Sequence, residues 1–374
     1  MQTLTELAPE FIRAIAPYRA GKPVADVVRE LGLDPSSVVK LASNENPLGL
    51  GSKAKAAIAQ AAQDLGRYPD ANGFSLKASL AAKHGVKPEQ ITLGNGSNDV
   101  LELAAKAFLT HGTNAVYSQY AFAVYPLATQ GCGAQSKVVP AVCYTHDLDG
   151  FLKTIDAQTR VVFIANPNNP TGTFVNQQKL LAFLDAVPSH VLVVLDEAYN
   201  EFLRPEDQYD STQWVAKYSN LLVSRSFSKA YGLAGLRVGY SVSSTAVADL
   251  LNRVRQPFNV NSIALAAAEA ALGDAEFLKK TYEVNLAGLE QLQSGFKFLG
   301  LEYVPSYGNF VLVKVGNQAD SGAKVFDALQ RLGVIVRPVG NYGLPEWLRV
   351  SVGLPHENEA FLTALPKALA QVAG

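Results

Sequence analysis

The 374-residue chain has only two cysteines, Cys132 and Cys143. That is too few for a disulfide framework, and they read as buried thiols of a reducing compartment. It has five histidines but neither an HExxH segment nor a Cys-x-x-Cys pair, so no metal centre is expected. Charge of one sign is also missing: 32 Lys+Arg against 33 Asp+Glu leave a net charge of -1. Without clustered basic charge, a nucleic-acid footprint or a membrane-surface role is excluded. No apolar run approaches the roughly 18 residues of a membrane span. The strongest, 191–195, has the length of a buried strand. Residues 1–6 show no basic stretch ahead of an apolar one, so no signal peptide is expected. These absences describe a cytoplasmic globular enzyme.

What is present is apolar and ordered. The chain is 48% hydrophobic and 17% charged. At about 150 residues per domain it is long enough for two or three domains, each burying its core without staples. Its middle alternates helical patterns with short β-branched runs. Strands are predicted at 91–93, 115–117, 138–139, 161–164, 191–195, 221–223 and 238–240, with helices at 52–65 and 99–109. Several of these runs are apolar throughout, as a sheet covered on both faces requires. Strands separated by helices imply a mainly parallel α/β sheet. The last third differs: helices at 260–272 and 275–298, the second carrying Leu286, Leu289 and Leu292 at helical spacing. Strands at 310–315, 334–336 and 348–352 alternate there with helices at 323–332 and 357–372, giving a smaller α+β unit. The first 45 or so residues lack a complete layer and are expected to pack on that unit.

Four segments at strand ends do not read as packing. In Ser226-Phe227-Ser228-Lys229, an amine follows a strand into an apolar, Gly-rich stretch. Desolvation lowers such an amine's proton affinity and makes it a nucleophile able to form a Schiff base. Ser226, Ser228 and Arg237 suit a phosphate dianion, two hydroxyls beside a planar fork. Asp196 ends an apolar strand at the carboxyl edge, where α/β proteins bind ligands. There it either pairs with a protonated ring nitrogen or caps the next helix. Tyr199, three residues on, points into the same crevice if the chain turns helical. Asn166-Pro167-Asn168-Asn169-Pro170 is either a plain rigid loop or a mount for an Asn that donates to a phenolate oxygen. Gly94-Asn95-Gly96-Ser97-Asn98 leads a strand into a helix whose N–H groups suit a phosphate. It lacks the spacing of a P-loop or dinucleotide fingerprint.

Together these segments resemble the fold-type I pyridoxal-5'-phosphate aminotransferases of class II, and most closely the histidinol-phosphate aminotransferase subfamily. The resemblance includes Pro17-Tyr18, Asp196-Glu197-Ala198-Tyr199, Val336-Arg337-Pro338 and Leu348-Arg349-Val350, and Asn44-Glu45-Asn46-Pro47 and Arg67-Tyr68-Pro69 single out that subfamily. The resemblance implies a large PLP-binding α/β domain over 47–257, with a seven-stranded sheet flanked by helices. A smaller α+β domain is then made of 1–46 and 258–374. It implies PLP-dependent transamination of L-histidinol phosphate with 2-oxoglutarate, giving imidazole acetol phosphate and L-glutamate in histidine biosynthesis.

By the same resemblance, Lys229 forms the internal aldimine, Asp196 partners the pyridine nitrogen, and Asn169 and Tyr199 address the 3'-oxygen. Gly96, Ser97, Asn98, Ser226, Ser228 and Arg237 form the phosphate cup. Phe122 or Tyr120 stacks on the ring, since Ser118-Gln119-Tyr120-Ala121-Phe122 departs from the common pattern. Tyr68 reaches the cofactor phosphate of a partner subunit, which implies a homodimer. Tyr18, Asn44, Arg337 and Arg349 bind substrate. An aromatic amino-acid aminotransferase and a phosphothreonine decarboxylase are the rivals on the same fold. A non-catalytic ligand-sensing domain is a third, set against it by the filled catalytic positions and the absence of a basic patch.

Overall fold

The computed structural model describes residues 3–17 and 23–373. After Val39–Lys40 (β1), seven strands build one sheet: Ile91–Gly94 (β2), Asn114–Ser118 (β3), Gln135–Val139 (β4), Thr159–Ala165 (β5), Leu192–Asp196 (β6), Leu221–Ser226 (β7) and Gly239–Ser243 (β8). Their order is β2-β8-β7-β6-β5-β3-β4. The pairs from β7 to β4 are parallel, whereas β8 runs antiparallel to both β7 and β2. Every residue of β6 and β7 is buried. Phe151, Leu180 and Phe183 pack on one face, and Val100, Leu101 and Tyr125 on the other. That two-sided cover explains the unbroken apolar strands. As a result, the carboxyl ends of β2, β5, β6 and β7 and the amino end of β8 open on one edge.

The last third forms Tyr303–Val304 (β9), Phe310–Lys314 (β10), Val334–Ile335 (β11), Arg337–Val339 (β12) and Leu344–Ser351 (β13). Four of them make an antiparallel sheet in the order β12-β13-β10-β9, while β11 pairs in parallel with β1. Leu292, Phe296, Val311, Leu348 and Phe361 form its separate core.

Several expectations need correction. The stretch 334–336 is not one strand: β11 turns into β12 so that each pairs with a different partner. In helix Ala275–Phe298 the inward face is Thr281, Asn285, Gly288, Leu289, Leu292 and Phe296, and Leu286 lies outside it, 39% exposed. Helix Ser262–Leu272 gives Ala264, Ala267, Ala268 and Ala271 to the core of the large sheet. The N-terminal region divides as well: Val27 packs with Ala42 and Ile335, but Gln130 Nε2 donates to the Phe11 carbonyl at 3.1 Å, placing Glu10–Arg13 on the large sheet's side. Cys143 is exposed and Cys132 only half-buried, so neither is a core thiol.

Candidate active site

A cavity of about 520 Å³ lies where the open edge of the large sheet meets β12 and β13. Of the residues singled out above, it brings together Asn44, Ser97, Asn98, Phe122, Asn169, Asp196, Tyr199, Ser226, Ser228, Lys229, Arg237, Arg337 and Arg349. Gly96 lies directly beneath the Arg237 guanidinium, where any Cβ would collide with it. Phe122 lines the cavity and meets Tyr125 edge-on, centroids 5.9 Å apart. Tyr120 instead turns away onto Tyr144, at 5.9 Å. Tyr68 is outside the cavity, 83% exposed and stacked on Phe258. Tyr18 falls outside the described residues.

One end of the cavity is an anion cup. Asn176, Asn261 and Asp147 cap their helices with side-chain oxygens, but helix Ser97–Phe108 starts at Gly96 (φ 82°) with no side-chain cap. Its first N–H groups therefore face the cavity with the positive end of the helix dipole. Arg237 adds a guanidinium whose Nη1 donates to Ser228 Oγ at 3.4 Å and to the Ala234 carbonyl at 3.2 Å. Arg237 is held at φ 56°, a left-handed backbone that costs on the order of 1–3 kcal/mol outside glycine.

The middle holds the titratable groups. Lys229 donates to the Ser43 carbonyl at 3.1 Å, and its Nζ sits 5.8 Å from the Tyr199 ring centroid. Burial above all, then the positive charge of Arg349, pushes its amine down to about 8. It keeps part of its surface open to the cavity, so the amine gives up its proton more readily than an ordinary lysine and is reachable. Burial pushes the Asp196 carboxyl up to about 6, opposed by the hydrogen bond from Tyr125 and raised further by Glu197. Tyr125 donates to Asp196 Oδ2 at 2.8 Å, while the buried Oδ1 makes no hydrogen bond. A buried oxygen without a donor costs about 1–3 kcal/mol, so the site is built for a donor from a ligand. Tyr199 is pushed up to about 12 by burial, held back by Arg349 and by Asn44, whose Nδ2 donates to its hydroxyl at 3.0 Å.

The far wall is cationic. Arg337 on β12 and Arg349 on β13 are direct cross-strand partners. Like charges in that position repel unless they share an anion. Arg349 is further fixed by donating to Asn169 Oδ1 at 2.6 Å and to the Ala42 carbonyl at 2.7 Å.

The residues present fit pyridoxal phosphate. The cup suits its phosphate, the orphaned Asp196 oxygen suits a protonated ring nitrogen, and Lys229 suits its aldehyde. Four participants escaped the sequence reading: Tyr125, Tyr342, and the Ala42 and Ser43 carbonyls. Only Tyr125 left a trace, an aromatic three residues after Phe122 in the first turn of helix Val124–Gly131. The carbonyls leave none, because any residue supplies one.

The family model for class I and II aminotransferases matches residues 36–365. Histidinol-phosphate aminotransferase 2 of Ralstonia nicotianae is 62% identical over 366 residues, covering 98% of both chains. Histidinol-phosphate aminotransferase 1 of Cupriavidus pinatubonensis is 62% identical over 361 residues, covering 96% of both. The structure of the Sinorhizobium meliloti histidinol-phosphate aminotransferase, solved in complex with pyridoxal-5'-phosphate, superposes with a TM-score of 0.90 at 29% identity over 97% of both chains.

Proposed function

The chain belongs to the class I and II aminotransferases, and from that premise we propose that it moves the amino group of L-histidinol phosphate to 2-oxoglutarate, as an enzyme of histidine biosynthesis. The products are imidazole acetol phosphate and L-glutamate. The observation that carries this reading is the opposed pair Arg337 and Arg349 in the cavity that also holds Lys229. A planar guanidinium fork matches phosphate and carboxylate alike. One arginine wall therefore serves the phosphate of one substrate and the carboxylates of the other.

When bound, pyridoxal phosphate supplies the electron sink that makes the substrate Cα–H bond acidic. This chain's own residues do the rest. The amine of Lys229, pushed down to about 8 mainly by burial, would take the substrate Cα proton and give it up two atoms away, on the far side of the nitrogen. Asp196 holds a positive charge on the ring nitrogen, and Asn169 and Tyr199 direct donors at the 3'-oxygen. The backbone of Gly96, Ser97 and Asn98, with Ser226, Ser228 and Arg237, fixes the phosphate, and Phe122 covers the ring. Asn44 bounds the space the substrate would take.

The reading has three further parts. The enzyme works as a homodimer in which Tyr68 completes the partner's phosphate cup; the supporting observation is an exposed aromatic pair, Tyr68 on Phe258, outside its own cavity. The chain divides into a large unit and a discontinuous small one, with helix Ser262–Leu272 on the large side, and acts in the cytoplasm. Among the described residues no helix is long and apolar enough to cross a membrane.

The test is turnover. Glutamate formation from histidinol phosphate and 2-oxoglutarate supports the reading. Glutamate from phenylalanine or tyrosine but not from histidinol phosphate moves the specificity to aromatic amino acids, and release of carbon dioxide moves the reaction to a decarboxylase.

A further inference from the structure

Asn44 holds an unusual position. It is a non-glycine residue at φ 53°, almost wholly buried, at the lip of the cavity. Its backbone N–H donates to Ser351 Oγ at 2.8 Å, and Ser351 Oγ donates back to Asn44 Oδ1 at 2.9 Å. Its carbonyl accepts from Asn309 Nδ2 at 3.0 Å. Its Nδ2 donates to the Tyr199 hydroxyl at 3.0 Å.

The direction of every hydrogen in this set follows from one fixed donor. A backbone N–H can only donate, so Ser351 Oγ accepts from it, and the serine hydrogen must go elsewhere. Both hydrogen bonds of that hydroxyl are made with Asn44, so its hydrogen goes to Oδ1. Turning the amide over would place N–H against Oγ and leave the serine hydrogen without an acceptor. Oδ1 thus faces Ser351, and the NH2 group faces Tyr199. The phenol oxygen then accepts from Asn44, and its own hydrogen is directed elsewhere.

We propose that Ser351 is a positioning residue which, through the Asn44 amide, orients the Tyr199 hydroxyl hydrogen into the cavity, toward the 3'-oxygen of the bound cofactor. The inference rests on the proposed function, since that reading puts a 3'-oxygen opposite Tyr199. Ser351 lies at the end of β13, two residues from Arg349, and does not line the cavity. The small sheet therefore reaches the proton of a residue that belongs to the large one. Asp196, Arg349, Tyr342 and Lys229 are the titratable groups facing the Tyr199 phenol, and the variants below leave all four in place.

The test uses Ser351→Ala, which frees the Asn44 amide to turn, and Ser351→Thr, which keeps the hydroxyl. Two readouts other than turnover are taken. One is the pH midpoint of the bound cofactor's colour change; the other is the dissociation constant of pyridoxal phosphate added to the cofactor-free protein. A donor on the 3'-oxygen stabilises the deprotonated coloured form, so its loss raises the midpoint. In Ser351→Ala the midpoint rises by up to about one pH unit, the equivalent of one neutral hydrogen bond, and the dissociation constant rises by on the order of fivefold. Ser351→Thr restores both. In a Tyr199→Phe background, Ser351→Ala adds nothing, because there is no phenol hydrogen left to orient.

Midpoints equal to wild type in Ser351→Ala overturn the inference. So does a shift that persists undiminished in the Tyr199→Phe background, since a merely structural effect would do that. A wild-type protein that develops no pH-dependent colour with pyridoxal phosphate defeats the underlying functional reading instead, so the two failures are distinguishable.

Discussion

Replacing Tyr125 by Phe removes one hydroxyl and little else. The ring is fully buried, parallel to Phe163 at 4.8 Å and edge-on to Phe122, and Phe keeps those contacts. What is lost is the 2.8 Å hydrogen bond to Asp196 Oδ2. Hydrogen bonds to charged groups contribute about 1.5–3 kcal/mol. At 1.36 kcal/mol per unit that is roughly one to two pH units. Asp196, already pushed up to about 6 by burial, moves to roughly 7–8 and is about half to nine-tenths protonated at pH 7. The sign of the stability change follows. A carboxylate raised on folding contributes stability that is present below its unfolded value and lost as pH rises through its folded value. In the cofactor-free protein the variant extends that decline upward by the same one to two units, which thermal unfolding across pH reads directly. At pH 7 the ring nitrogen also meets a neutral acid, and pyridoxal phosphate binds on the order of tenfold more weakly. If Tyr125→Phe and wild type give superimposable pH profiles for both unfolding and cofactor affinity, the Tyr125–Asp196 bond does not tune this carboxylate and the reasoning fails.

Lys229→Ala is expected to abolish turnover while the protein still folds and binds cofactor; near-normal activity would remove the lysine from the chemistry. In the cofactor-free wild type, Lys229 should react with an amine-specific reagent with a midpoint near pH 8, well below the range of ordinary lysines, as peptide mapping of labelled protein will show. Arg337→Gln should raise KM for histidinol phosphate by about 10- to 100-fold, the equivalent of one lost charge-assisted contact, with kcat changed far less; equal KM values would take Arg337 out of the substrate wall. Arg225 and Glu197 form a buried ion pair at 2.7 Å, with Ser211 also on the carboxylate. Arg225→Met leaves that charge unpaired and should cost about 3–5 kcal/mol in urea unfolding.

The fold was legible where the sequence repeats a physical rule along consecutive residues. β5 and β6 are legible through their apolar runs 161–165 and 192–195, which a sheet covered on both faces requires, and helix Ala275–Phe298 has no Gly or Pro break before Gly288. Direction was not legible. Nothing in Gly239–Ser243 says that it runs against its neighbours, because reversal is decided by the connection and not by the strand. Lys229, Asp196, Arg237 and Asn169 were visible as chemistry-bearing residues at strand ends, and the cavity holds all four. The cross-strand meeting of Arg337 and Arg349 was hidden, since register between strands is set by tertiary packing. So was the Ser351–Asn44 pair, whose members are 307 residues apart.

In the proposed reaction the cofactor-loaded protein takes up the amino group of histidinol phosphate, with Lys229 moving the proton. The most direct measurement is single-turnover absorbance of purified, cofactor-loaded protein, first with L-histidinol phosphate and then with 2-oxoglutarate. The coloured form should bleach with the first and return with the second, and Lys229→Ala should show neither change on the catalytic timescale. A loaded protein whose spectrum ignores histidinol phosphate, or a Lys229→Ala variant that cycles like wild type, would contradict it.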